Sequence, residues 1–165
     1  MVDTFNTIYA AADLHAAAMY LTENPVSYVF NTHWHSDHTS GNQLFTPQAQ
    51  IISTSITHEI MATFGKNRLA QQLSNPEPIY QAIDEVEEKI KQETDEKLKK
   101  EMQWENASNR EYMKILPNLV YTLPTITFDQ RMSIMVVIGP YSSSRMAAVT
   151  RKVMLSCTCL KKKLP

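Results

Sequence analysis

Three of the chain's five histidines, His33, His35 and His38, fall within six residues, and Asp37 stands among them in the run Asn31, Thr32, His33, Trp34, His35, Ser36, Asp37, His38. Imidazole nitrogen and carboxylate oxygen together suit Zn²⁺ and other borderline divalent ions. Alternate residues of an extended segment point the same way, so His33 and His35 can converge on one ion. Asp37 and His38, placed after a turn, can reach a second ion a few Å away. The plainer reading of a lone histidine is a surface group that merely titrates. His15 and His58 have no ligand-type cluster beside them and are read that way, as structural residues.

Such a cluster needs a rigid element before it. Val26 to Phe30 is β-branched and aromatic, bounded by Pro25 and by the polar residues from Asn31, as expected of a buried strand that ends in a loop. Upstream, Ala11 to Leu21 is rich in alanine and leucine and reads as a helix stopped by Asn24 and Pro25. Downstream, Ile51 and Ile52 suggest another strand. Ser53 to Thr57 offer N-caps for a helix running through His58 to Phe64 and ending near Gly65. The first third of the chain is therefore of α/β class.

From Pro78 the pattern becomes helical, with Ile79, Ile83, Val86 and Ile90 spaced by four, three and four and charged residues between them. Leu98 and Met102 extend that stripe, so residues 78–115 are expected to form an amphipathic helical insertion packed on the domain. Leu116 to Phe128 returns to β character, with Pro117 and Pro124 at connections. Met135 to Ile138 is a short apolar strand candidate stopped by Gly139 and Pro140.

The 165 residues carry a net charge of -1, with 43% hydrophobic and 20% charged residues, as in an ordinary globular domain rather than a disordered tail or a fibre. No apolar run approaches the roughly 18 residues of a membrane span. The start lacks a basic segment leading into a hydrophobic stretch. A cytoplasmic protein without membrane contact is expected. Cys157 and Cys159 are too close for an ordinary bridge and are expected to stay reduced.

The order His33, His35, Asp37, His38 resembles the H-x-H-x-D-H signature of the metallo-β-lactamase superfamily, with Gly41 and Asn42 where its members often carry a Gly-Asn pair. Val2, Asp3 and Thr4 look like the family's strand-end V-D-T, and Pro25 to Thr32 like its following strand. The resemblance covers residues 1 to about 70. It continues more thinly from Leu116 to Met135, through Leu123, Pro124, Thr127 and Phe128. It implies an αββα sandwich, here partial, with a one- or two-metal site at one edge of its sheets and a hydrolytic activity on a small molecule. His33 and His35 would bind the first metal and Asp37 and His38 the second. Zinc is the first expectation, with manganese or iron as alternatives. By the same resemblance, a metal-bound hydroxide would attack an ester, amide, thioester or phosphoester centre, Asp37 would act catalytically by orienting or shuttling the proton, and Asp3 would support the ligand loop.

The family pattern also includes a third histidine, a bridging aspartate and a final histidine. No histidine follows His58 here, and after Asp129 the only carboxylate is the C-terminus. All seventeen acidic residues lie at or before Asp129, whereas seven of the sixteen basic ones lie after it, so the near-zero charge averages an acidic body and a basic end. This break divides the chain into a partial metallo-β-lactamase-like domain, 1–135, and an atypical basic tail, 136–165. Read one base back, the codons of that tail permit the string G-G-G-H-T-E-S-D-A-F-L-Y-L-P-E-K, which looks like the family's segment carrying the third metal histidine. The expectation is thus an incomplete and frameshifted member with impaired activity. The competing reading is a non-enzymatic remnant that binds partners or nucleic acid through the helical insertion and the basic tail. The tail has no recognisable nucleic-acid motif and lacks interleaved aromatic residues, which makes nucleic acid the weaker partner.

Overall fold

The computed structural model describes the backbone of residues 1–137 and 152–158 and the side chains of residues 1–134. The chain divides into two compact units, Met1–Thr127 and Phe128–Pro165.

The first unit is built on a three-stranded sheet in the order β1 (Tyr28–Phe30), β2 (Gln50–Thr54), β3 (Ile126–Phe128). β1 and β2 run parallel with Val29 opposite Ile51 and Phe30 opposite Ile52. Val2 bridges Phe30 in parallel on the other side of β1, held by Asp3 N–H donating to the Phe30 carbonyl at 2.8 Å and Phe30 N–H donating to Met1 O at 3.0 Å. β1 is thus flanked on both edges. Val29, Ile51 and Ile52 are fully buried, and each contributes about 1.5–3 kcal/mol of burial free energy. The strand is shorter than the expected Val26 to Phe30; Val26 is only half-buried against the core, and the pairing with β2 begins where Gln50 N–H donates to the Ser27 carbonyl.

Helices pack on this sheet. α1 (Ile8–Thr22) starts where Thr7 Oγ1 accepts from Ala10 N–H at 3.2 Å and stops at Glu23, which takes a left-handed conformation with φ of 55°. Only Ala11 of α1 is buried. It meets Val29, Phe45, Ala49 and Ile51 in one apolar cluster. Between β1 and β2 lie two single-turn helices, α2 (Ser36–Thr39) and α3 (Asn42–Phe45).

β2 leads into α4 (Ser55–Ile60), capped by Thr54 Oγ1 on Thr57 N–H at 3.1 Å. The sequence placed the end of this helix near Gly65. Instead a π turn, Met61–Gly65, carries the chain into α5 (Lys66–Ser74). Gly65 keeps a helical backbone because Tyr121 occupies the space a side chain would need, so it serves close approach rather than termination.

The insertion is two helices rather than one stripe. α6 (Glu77–Gln92) ends at Glu93, and α7 (Glu96–Ile115) begins at Asp95, whose carboxylate accepts from Lys97 and Leu98 N–H at 2.8 and 3.1 Å. Leu98 therefore sits at a new helix start, exposed, and does not extend the α6 stripe. Ile83 of α6 and Tyr112, Met113 and Ile115 of α7 join Leu69 of α5 and Leu116 in a second core cluster. Arg110 ties the two helices by pairing with Asp84 at 3.3 Å and with Glu87.

Leu116 to Phe128 holds less strand than its composition suggests. Leu116–Asn118 is a 3₁₀ turn, and only Ile126–Phe128 pairs as β3, since Pro117 and Pro124 withhold ladder donors. In the second unit, β4 (Arg131–Val137) and β5 (Lys152–Thr158) form an antiparallel pair, with Arg131 opposite Thr158 and Val137 opposite Lys152. Apart from these strands, the basic tail and its frame-slip reading lie outside the described residues, as do the side chains of Cys157 and Cys159. Among the described residues no helix is long and apolar enough to cross a membrane.

Candidate metal centre

The histidine-rich run leaves the carboxyl end of β1, the end where open α/β sheets present their ligand loops. Asn31 N–H still belongs to the sheet, donating to the Ile52 carbonyl at 2.8 Å. The chain then turns, and α2 starts at Ser36 with His35 as its N-cap. This places His33 and His35 on the extended stretch and Asp37 and His38 on the first turn of the helix.

One nitrogen from each of His33 and His35 and one Asp37 oxygen lie within 4.8 Å of one another. His33 is half-buried, while His35 and Asp37 are exposed. The His33 ring lies 4.7 Å from that of His35 and 3.9 Å from that of His38, centroid to centroid. His38 is oriented from both ends, with Nδ1 2.8 Å from Asp3 Oδ2 and Nε2 3.1 Å from Asp37 Oδ2. The structure thus brings His33, His35 and Asp37 into one ligand group, with His38 reaching it through Asp37.

Asp3 organises the ring orientations. Its Oδ1 accepts from Thr32 N–H at 2.8 Å and its Oδ2 from the Thr32 hydroxyl at 2.8 Å. Thr32 has spent its single proton there, so it can only accept from His33 Nδ1, 3.0 Å away. An ionised carboxylate likewise only accepts, so His38 Nδ1 is the donor to Asp3. His33 is thereby held with Nδ1 protonated and tethered, which leaves its Nε2 to face a ligand, whereas His38, tethered at Nδ1 by Asp3, turns its Nε2 to Asp37. Burial, followed by the neighbouring His38 and His35 rings, pushes His33 below the ordinary histidine pKa, which favours the neutral, metal-binding form.

Beneath the loop lies a buried amide network. Asn42 Nδ2 donates to Asn31 Oδ1 at 2.8 Å and to the Thr122 carbonyl at 3.1 Å, while Asn42 Oδ1 accepts from Thr4 Oγ1 and Asn31 Nδ2 at 3.0 and 3.1 Å. The His38 carbonyl accepts from Thr4 N–H and Asn31 Nδ2, and shares the single Thr4 hydroxyl proton with Asn42 Oδ1. Thr4, Asn31 and Asn42 are all buried. Gly41 lets this network close, because a Cβ there would overlap the Thr4 carbonyl and Ala11 Cβ.

A sequence model described as the metallo-beta-lactamase superfamily matches residues 1–111. The chain belongs to the metallo-beta-lactamase superfamily. No curated protein matches it. The superfamily match spans the ligand loop, the amide network beneath it and nearly all of α7. His15 and His58 remain apart from the centre of this superfamily member. His15 packs edge-on against Phe45 at 5.5 Å, and His58 lies in α4.

A cavity of about 220 Å³ opens beside the loop within the first unit, lined by His35 and Asp37 and also by Gly65, Arg68, Gln72 and Tyr121. None of these last four stands out as a site residue in the sequence. The only signal is that Gly65, Arg68, Leu69 and Gln72 recur at the spacing of one helix face. Trp34 also lines the cavity and stacks edge-on with Phe64 at 5.1 Å.

Proposed function

We propose that this chain is a metal-dependent hydrolase by design, with a divalent ion, zinc first and manganese or iron as alternatives, held by His33, His35, Asp37 and His38. The observation that carries the reading is the convergence of His33, His35 and Asp37 on one point, with Asp3 and Thr32 fixing the imidazoles. The donor set of imidazole nitrogens and a carboxylate fits such an ion. A bound divalent ion supplies Lewis acidity there and lowers the pKa of coordinated water.

The protein's own groups do the rest. His33 and His35 present nitrogen lone pairs, His38 is aligned by Asp3, and Asp37 Oδ2 takes the proton released as water attacks and returns it to the leaving group. The cavity beside His35 and Asp37 receives a small molecule with an ester, amide, thioester or phosphoester bond. The parallel sheet with its helices is read as part of an αββα sandwich. With four ligand residues on one loop and no later histidine, binding is weak and turnover low compared with a three-ligand catalytic site.

The test is zinc titration of the purified full chain with assays on generic ester, lactam and phosphodiester substrates. Stoichiometric metal and chelator-sensitive turnover, both lost in His35→Ala, are expected. A chain that takes up no zinc, manganese or iron, or whose turnover survives both chelation and His35→Ala, overturns the reading.

A further inference from the structure

The walls of the cavity beside the ligand loop are chemically one-sided. Arg68 and Gln72 both line it, and each brings a donor. Among the described residues no carboxylate pairs with Arg68; the ion pairs there use Lys91, Lys97, Arg110, Lys114 and His38. Gln72 Oε1 accepts from the Tyr112 hydroxyl at 3.0 Å, and both of its amide N–H donors have no partner among the described residues. The Tyr121 hydroxyl is buried against Gly65 and takes no part in lining the open space. The sole carboxylate lining this cavity is Asp37, in the ligand loop.

Local structure explains how these donors meet. The π turn at Met61–Gly65 feeds α5 without a break, so Gly65, Arg68, Leu69 and Gln72 form one face. Gly65 admits Tyr121 against the helix because a Cβ would occupy the position of its hydroxyl. Arg68 is near enough for its charge to act on Tyr112. A volume of about 220 Å³ is below the roughly 300–1,000 Å³ of sites for drug-sized ligands, so the occupant is small.

We infer that this cavity binds an anionic group, a carboxylate or a phosphate, of a small substrate, with Arg68 as the residue that selects it and with Gln72 as a supporting donor. The inference rests on the hydrolase reading for its placement, since His35 and Asp37, where the scissile bond would sit, line the same cavity as Arg68. A planar guanidinium matches either anion through paired N–H donors.

Calorimetric titration of the full chain, stripped of metal and then freed of chelator so that neither a metal nor a polycarboxylate competes for the anion, tests it with benzoate, phenyl phosphate and neutral benzamide. At least one anion is expected to bind tenfold or more tightly than benzamide, and the tighter one names the group. Arg68→Met removes that preference and Arg68→Lys keeps part of it. Equal binding of benzamide and both anions, no binding of any probe, or a preference retained in Arg68→Met overturns the inference. Zinc titration of Arg68→Met is run separately and should match the unsubstituted chain. Failure of zinc binding in both chains would sink the hydrolase reading while leaving the anion result in force.

Discussion

Asp3 and His38, 35 positions apart in the chain, are joined by a 2.8 Å contact between Asp3 Oδ2 and His38 Nδ1. The same carboxylate receives the backbone and side-chain donors of Thr32, so one residue after the Val2 bridge sets the rotation of two imidazoles. Asp3→Asn replaces one oxygen with an N–H₂ group that faces donors. Zinc affinity should fall about 10–100-fold with the fold intact. Competition against a chromogenic chelator, with circular dichroism as the control, measures it; unchanged affinity would show that Asp3 is not part of the centre.

Gly41→Ala tests the packing under the loop. The added methyl meets the Thr4 carbonyl and Ala11 Cβ, and both are buried. Either α1 or the Thr4 strand end must move. A loss of about 1–3 kcal/mol is expected from such overpacking, read as a lower urea midpoint at unchanged slope.

Asn42 satisfies more partners than any hydrophobic replacement can. Asn42→Leu keeps the number of side-chain heavy atoms but leaves Asn31 Oδ1 and the Thr122 carbonyl without their donor, while the Thr4 hydroxyl keeps the His38 carbonyl. The expected cost is about 2–3 kcal/mol. Hydrogen exchange should show the Asn31 amide, on the Ile52 carbonyl, losing protection with it.

Tyr121 links stability to alkaline pH. Burial, and secondarily Tyr112, raises its hydroxyl from 10.0 to about 12. The unfolded chain ionises first, so the contribution is complete below pH 10 and disappears as pH climbs to about 12. Thermal midpoints should fall across that window, less steeply in Tyr121→Phe. The slope should not vanish, because burial also raises Tyr112. At neutral pH Tyr121→Phe removes a partnerless hydroxyl and should match or exceed the parent by up to about 1 kcal/mol.

The ligand loop was legible because its chemistry is local. His33, His35, Asp37 and His38 are near neighbours, and the strand before them announces itself by β-branched and aromatic residues. Helix stops were less legible. Gly65 reads as a terminator in one dimension, yet Tyr121, 56 positions later, is what fills the space beside it. In the same way the Leu98 stripe looks continuous with α6 until the Asp95 cap starts a new helix.

By itself the sequence determined the α/β class of the first third, the residue types of the metal loop and their order, because period and composition act over a few residues. Only the tertiary structure decided which atoms those residues present. The tether from Asp3 to His38, the amides of Asn31 and Asn42 beneath the loop, and the shared lining of one cavity by Asp37, Arg68 and Gln72 all join distant positions. Such pairings depend on where packed elements come to rest, and no local pattern encodes that.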